Sequence, residues 1–344
     1  MSTKPTTDQV ADQTIGASQI PYRIALLLTA VVFPLIWVGG LVTTTDAGMA
    51  VPDWPNTNGY NMFSYPIESW LFGPFDLMVE HGHRLLASLA GLISIALVVA
   101  SYRCESRTWV RYFSIFLLAL VVLQGVLGGA RVVMDHRVVA KIHGCVGPVF
   151  FACVVGFATV TSRWWRSFDL PQQQDQLQGR ATKWMARLAP VMLLISFGQL
   201  VVGAFMRHIN VDSPHSLYVM LVAIHIMTAC LIVFGTLFQW MLSRRAQVRG
   251  AGVRGSANLL ALLVLVQFGL GLTTWVVKFG WPAAMAQHQF AASYVVGEKN
   301  FTQMNLVTAH VAVGSLILAV WTIHTLRCRR SHHATARLTL TNNL

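Results

Sequence analysis

Eight stretches of this chain are long and apolar enough to span a lipid bilayer, and they leave little room for any other kind of fold. A spanning helix needs about 20 mostly apolar residues. The stretches run over roughly 23–43, 80–101, 111–130, 139–161, 186–206, 217–241, 257–278 and 304–326. Within lipid each backbone polar group must be satisfied inside its own segment, so these spans are predicted to be helices rather than strands. Composition agrees: 55% of the 344 residues are hydrophobic and 11% are charged, against about 25% charged in a soluble domain. The expected fold is an all-α integral membrane protein, with the lipid bilayer as its first partner.

The formal charge of +12 raises the question of a nucleic-acid partner, and the position of the charges answers it. Eighteen of the 25 basic residues fall at the two termini and in the loops after spans two, four and six, among them Arg103, Arg107, Arg166, Arg244 and Arg330. The opposite loops hold Arg131, Arg137, Arg207, Lys278 and Lys299. Basic loops stay on the cytoplasmic side, so both termini are expected there. The charge is a topology signal, and no nucleic-acid partner is expected. The polar start of the chain lacks the Arg-rich, acid-poor character of a transit peptide, and the first span has neither a strongly basic flank nor an evident cleavage site. It reads as a retained membrane helix, which favours the inner (plasma) membrane of a cell over the mitochondrial inner membrane. The five cysteines form no CxxC pair, so neither a disulfide framework nor a zinc site is expected.

The chain repeats itself. Span three carries "LQGVLGGARVV", span five "GQLVVGAFMRH" and span seven "VQFGLGLTTWVV". Each contains a glutamine followed four residues later by glycine: Gln124/Gly128, Gln199/Gly203 and Gln267/Gly271. That spacing places both on one helix face, and glycine there admits a neighbouring helix or a flat ligand. The repeat predicts two pseudo-symmetric four-helix bundles of parallel topology. The expected division is a cytoplasmic tail over 1–22, an N-terminal half over 23–165, a cytoplasmic linker over 166–185, a C-terminal half over 186–326 and a cytoplasmic tail over 327–344.

Every even span carries one histidine near the end opposite the basic loops: His83, His143, His225 and His310. A lone intramembrane histidine is commonly a hydrogen-bonded core residue, but four at matched depth on alternate helices point to ligands. Two facing histidines in an apolar bundle suit a haem iron held from both sides. One pair per half implies two haem pockets side by side. A cytochrome b that carries electrons across the bilayer would need haems at two depths, with histidines about 14 residues, or roughly 21 Å, apart on each ligand helix. Only span eight shows such a pair, His310 and His324; the matching positions elsewhere are Leu97, Phe157 and Gln239.

The two halves differ at "VEHGHRLLAS", residues 79–88, where Glu80 precedes His83 by three residues and Arg84 follows it. Glu80 and His83 share a helix face, whereas His81 and His83 point about 200° apart, so one of them alone can face the bundle axis. A carboxylate one turn from a haem ligand can accept a proton or stabilise positive charge at the porphyrin edge; the plainer alternative is an ion pair with Arg84. No other span begins this way, which suggests one pocket for chemistry and one for holding a cofactor.

With these motifs the sequence resembles the haem A synthase family over nearly its whole length. The resemblance rests on the eight spans in two halves, "EHGHR", "QGVLGGARVV", one histidine per even span, and the exit "VGGLVTTTDAGMAVPDWP" from span one. It implies oxidation of the C8 methyl group of haem O to a formyl group by successive hydroxylations, with loss of water from the gem-diol, in the biogenesis of terminal oxidases. It implies a substrate pocket with Glu80, His83 and His143 as catalytic residues, and a haem b cofactor that relays electrons, held by His225 and His310; all four histidines would be iron ligands. A haem O synthase and an electron acceptor would be its partners, and the resemblance leaves room for a homo-oligomer. The competing function is a di-haem b electron carrier or sensor that leaves its haems unmodified. Two features depart from the family pattern: segment 44–79 contains no cysteine, which excludes a thiol role for that loop, and Thr43–Thr45 stand where an arginine is usual after span one. His288, in the long loop 279–303, is expected to be a loop residue rather than part of a lid.

Overall fold

The structure is a computed structural model, and it describes residues 18–167, 180–209, 213–245, 252–282, 284–285 and 287–341. Most of the linker and the first 17 residues, to which the sequence assigns cytoplasmic positions, lie outside the described residues. Among the described residues eight long helices carry the fold: α1 (Ile20–Thr44), α2 (Phe75–Cys104), α3 (Thr108–Val133), α4 (Arg137–Thr161), α5 (Arg180–Arg207), α6 (His215–Arg245), α7 (Val253–Phe279) and α8 (Phe301–Thr341). Each contains a segment long and apolar enough to cross a membrane, so the chain is a multi-pass, all-helical membrane protein. The helices outrun the apolar stretches at most ends, because the polar turns that continue them carry no hydropathy signal.

The helices close into two rings. In the first, α1 packs on α2, α2 on α3, α3 on α4, and α4 back on α1; in the second, α5 through α8 do the same. The rings meet through α8 against α4 and α1, and through α4 against α5. Lipid tails are as apolar as leucine, so cohesion here comes from close packing and a few polar clamps rather than from hydrophobic burial.

Both rings are tightly packed at the end that carries the basic loops. One cluster joins Leu28, Leu97, Leu117, Phe151 and Phe157; the other joins Met185, Leu260, Ile317 and Trp321. Polar clamps close that end. Glu105 accepts from Arg107 Nη2 at 2.8 Å and from Arg166 Nη2 at 3.0 Å, tying the α2–α3 turn to the residues after α4. Arg327 of α8 lies over the Trp164 ring and donates to the Gly252 carbonyl at 2.9 Å. Burial works against the Glu105 charge, but the hydrogen bonds and charges of Arg107 and Arg166 hold its carboxyl down at about 2. The histidines sit towards the opposite end of both rings.

Candidate functional site

Each of the four histidines rests against a glycine of the preceding helix. A Cβ at Gly39 would lie 2.8 Å from Cε1 of His83, and at Gly128 it would lie 3.2 Å from Cε1 of His143. The corresponding distances are 3.4 Å from Gly203 to His225 and 3.3 Å from Gly271 to His310. One turn before three of these glycines, a glutamine reaches across to the histidine's own backbone. Gln124 Nε2 donates to the His143 carbonyl at 3.2 Å, Gln199 to that of His225 at 2.9 Å and Gln267 to that of His310 at 3.0 Å. The repeated glutamine–glycine motif is therefore a socket: the glycine admits the imidazole edge and the glutamine fixes the helix that bears it. The fourth socket, on α1, went unseen in the sequence because Leu35 stands where the glutamine would be.

The sockets bring the rings together in pairs. His83 and His143 have centroids 6.4 Å apart with an interplanar angle of 83°, and His225 and His310 are 6.3 Å apart at 57°. That is too far for van der Waals stacking. Two metal–nitrogen bonds of about 2 Å each, extended by the radius of each five-membered ring, reach about this span. Nδ1 of all four histidines is buried without a hydrogen-bond partner among the described residues. Buried polar atoms left this way call for an explanation. The residues fit a haem, whose iron the two facing imidazoles of each pair would hold between glycine-lined walls and apolar surroundings. A second layer of haems has no space, because Leu97 and Phe157 are fully buried in packed core and Gln239 is 1% exposed. His324 is likewise enclosed, with Nδ1 2.9 Å from Ser256 Oγ and its ring edge-on to Trp321.

The surroundings of the two pairs differ. Over the first lies the loop after α1, held down by α2. Arg84 donates to the carbonyls of Val51 and Asp53 at 2.7 Å and to that of Asn56 at 2.9 Å. Glu80, 2% exposed, pairs with Arg84 at 2.9 Å and accepts from the Val51 N–H at 3.1 Å. The ion pair weighed as the plainer alternative is thus present, and both carboxylate oxygens are engaged. His81 turns away from His143: Nδ1 lies 3.1 Å from Thr57 Oγ1, and the ring packs against Tyr65 and Trp70. Asp53 stabilises the loop from within, accepting from the N–H groups of Asn58 and Gly59 at 2.8 Å. Those bonds outweigh burial and hold its carboxyl below the usual range. The Trp54 ring lies against Gly129 of α3, where any side chain would collide with it. The ion pair and the direction of His81 were legible from helix spacing; the order of the loop was not, since a loop ordered by side-chain-to-backbone bonds shows no periodicity.

Among the described residues the second pair has no such latch. Val222 and Ile226 occupy the positions that correspond to Glu80 and Arg84. The loop from α7 to α8 places His288 at the start of a short helix, Gln289–Ala292, stacked on Phe290 with centroids 5.6 Å apart. At the exit of α1, Arg207 Nη2 of the C-terminal half donates to the Gly40 carbonyl at 2.6 Å and to Thr44 Oγ1.

The sequence matches the profile of the COX15-CtaA family, described as cytochrome oxidase assembly protein, over residues 22–213. A protein named heme A synthase from Shouchella clausii (strain KSM-K16) is 23% identical over 261 residues, covering 74% of this chain and 76% of that protein. One of the same name from Parvibaculum lavamentivorans (strain DS-1) is 24% identical over 329 residues, covering 78% and 89%. Another, from Exiguobacterium sp. (strain ATCC BAA-1283 / AT1b), is 22% identical over 176 residues; there the match spans 50% of this chain and 53% of its relative.

Proposed function

The chain belongs to the COX15-CtaA family of cytochrome oxidase assembly proteins, and from that premise we propose that it is an oxidoreductase that converts haem O to haem A, with haem O as substrate at His83 and His143 and haem b as resident cofactor at His225 and His310. The observation that carries this reading is the asymmetry of two otherwise matched pairs. The 6.4 Å and 6.3 Å separations suit the same kind of ligand. A latched loop covers the first pair, and its anchors Glu80 and Arg84 have no counterpart at the second. A site that does chemistry must admit substrate and exclude water, which a loop can do; a site that keeps its ligand needs only a tight socket.

In this reading His83 and His143 orient the substrate, with Gly39 and Gly128 setting the position of each ring. Glu80 serves turnover at the pocket edge, where its charge can take up a proton or balance positive charge, while its bonds to Arg84 and Val51 hold the loop. Haem b at the second pair would supply one-electron transfer. Both termini are cytoplasmic and the histidine pairs lie towards the outer face of a bacterial plasma membrane. A haem O synthase upstream and an electron acceptor downstream complete the reaction, and the chain divides functionally at its linker into the two halves 23–165 and 186–326.

The near-identical geometry of the two pairs favours one other reading, a di-haem carrier that leaves both haems unmodified. Expression with and without a haem O source, followed by extraction and chromatographic separation of the haems, decides between them. Haem A, or its hydroxylated precursor, that appears only when haem O is supplied supports the synthase. Haem B alone in the presence of haem O supports the carrier.

A further inference from the structure

Positive charge collects at the mouth of the first pocket. Arg131 lies in the last turn of α3, three residues beyond the glycine that seats His143, and its guanidinium lies against Gly48 of the covering loop. A Cβ at Gly48 would be 2.7 Å from Nη1 and 3.0 Å from Nη2. Arg131 is within electrostatic reach of both His83 and His143. Around it stand Lys141, whose ammonium lies over the Phe205 ring at 5.0 Å, and His208, which feels the charges of Arg207, Lys141, Arg131 and Arg137. Burial and then those charges push the His208 imidazole down to about 4.

A cation in the last turn of α3 complements the helix dipole, and that alone would account for a basic residue there. It does not account for a half-buried guanidinium that lies against Gly48 and within reach of both His83 and His143. Arg131 and Lys141 form no ion pair among the described residues. The nearby carboxylates are already committed: Glu80 to Arg84 and Val51, and Asp46 to Lys299 at 2.6 Å. Arg207 is spent on α1. Positive charge gathered in a partly dry cleft is a standing attraction for an anion.

We propose that Arg131 is the carboxylate-binding group of the first pocket and anchors a propionate of the substrate haem across its mouth. This rests on the assignment of the first pair to the substrate. A porphyrin is apolar on three edges and carries both carboxylates on the fourth. The packed apolar end of the ring suits the former and the cationic mouth suits the latter. Anchoring the propionates also fixes which methyl groups face which wall, so Arg131 is a positioning residue for the site of oxidation. The planar guanidinium can grip a carboxylate with two parallel bonds, which an ammonium cannot.

The test is a Soret-band titration of the purified full-length protein with ferric protoporphyrin IX and, separately, with its dimethyl ester. Binding that disappears in His83→Ala identifies the first pocket. Arg131→Gln should weaken His83-dependent binding of the free acid roughly 10- to 100-fold, the range for a charged hydrogen-bonded contact. The dimethyl ester should bind wild type weakly to a similar degree, and Arg131→Gln should weaken it no further; Arg131→Lys should restore part of the loss. Equal affinity of wild type for acid and ester would overturn the proposal, and would leave the phosphate of an anionic lipid as the better occupant of the cluster. Equal weakening of acid and ester in Arg131→Gln would also overturn it, since that marks a merely structural arginine. If no haem binds in a His83-dependent way, the substrate assignment of the first pair falls, and this proposal with it.

Discussion

At the scale of single residues, Glu80 bears the most weight, because one carboxylate is asked to hold a loop and to serve a reaction. Glutamine separates these tasks. Its one carbonyl oxygen can accept from the Val51 N–H or from Arg84, but its amide nitrogen only donates, so one of the two contacts is lost while Arg84 keeps its three carbonyl acceptors at Val51, Asp53 and Asn56. Glu80→Gln should therefore fold, at a cost of about 1–3 kcal/mol for the lost charged bond, and keep the resident haem. Haem A yield should drop by about 10²- to 10⁴-fold if the charge serves turnover. Measured at equal protein level, a near-normal yield would reduce Glu80 to a structural anchor. His81→Ala should leave both haems in place while making the loop at 50–70 easier to cleave by protease, since its ring contacts lie with Thr57, Tyr65 and Trp70. The sequence separated His81 from His83 correctly because helix geometry alone sets their directions. It could not tell that Arg84 grips backbone carbonyls, and Glu80 a backbone N–H, some 30 residues earlier, because backbone groups leave no mark in side-chain identity.

At the scale of elements, the working unit is a helix pair: a glycine-bearing odd helix that seats a histidine of the next even helix. Gly203→Val should push the His225 ring out of position and strip the resident haem from the purified protein, whereas Gly128→Val should act on His143 and spare that haem. Gly82 and Gly144 have nothing within 4 Å of an added Cβ, so alanine at either should leave the absorption spectrum unchanged. Loss of haem from those two controls, or its retention in Gly203→Val, would disprove the socket. Three of the four sockets were legible as glutamine and glycine four residues apart; the α1 socket was not, because Leu35 breaks the motif. At the other end of the rings, the Glu105 clamp gives a pH dependence of known sign. Its folded pKa of about 2 lies below the ordinary value of 4.5, so its stabilisation is present above 4.5 and fades as pH falls towards 2. In detergent, the melting temperature of wild type should approach that of Glu105→Gln over this window, and a constant gap between them would rule the clamp out as its source.

At the scale of the whole molecule, the number of helices was plain from hydropathy, and their closure into two rings followed from the repeat. The order of the first loop and the cationic mouth were not, since both depend on contacts between residues far apart in sequence. Topology is open to direct test: with eighteen of the 25 basic residues on one side, a reporter active only in the cytoplasm should be active when fused at the C-terminus of the chain. Activity from a periplasm-only reporter at that point would invert the assignment of both pockets. The central claim is that two similar histidine pairs hold different haems. It is tested most directly by purifying His83→Ala and His225→Ala from cells supplied with haem O and separating the haems extracted from each. His83→Ala should retain haem b and lack haem O and haem A, while His225→Ala should lose haem b; the same haems in the same proportions from both variants would contradict it.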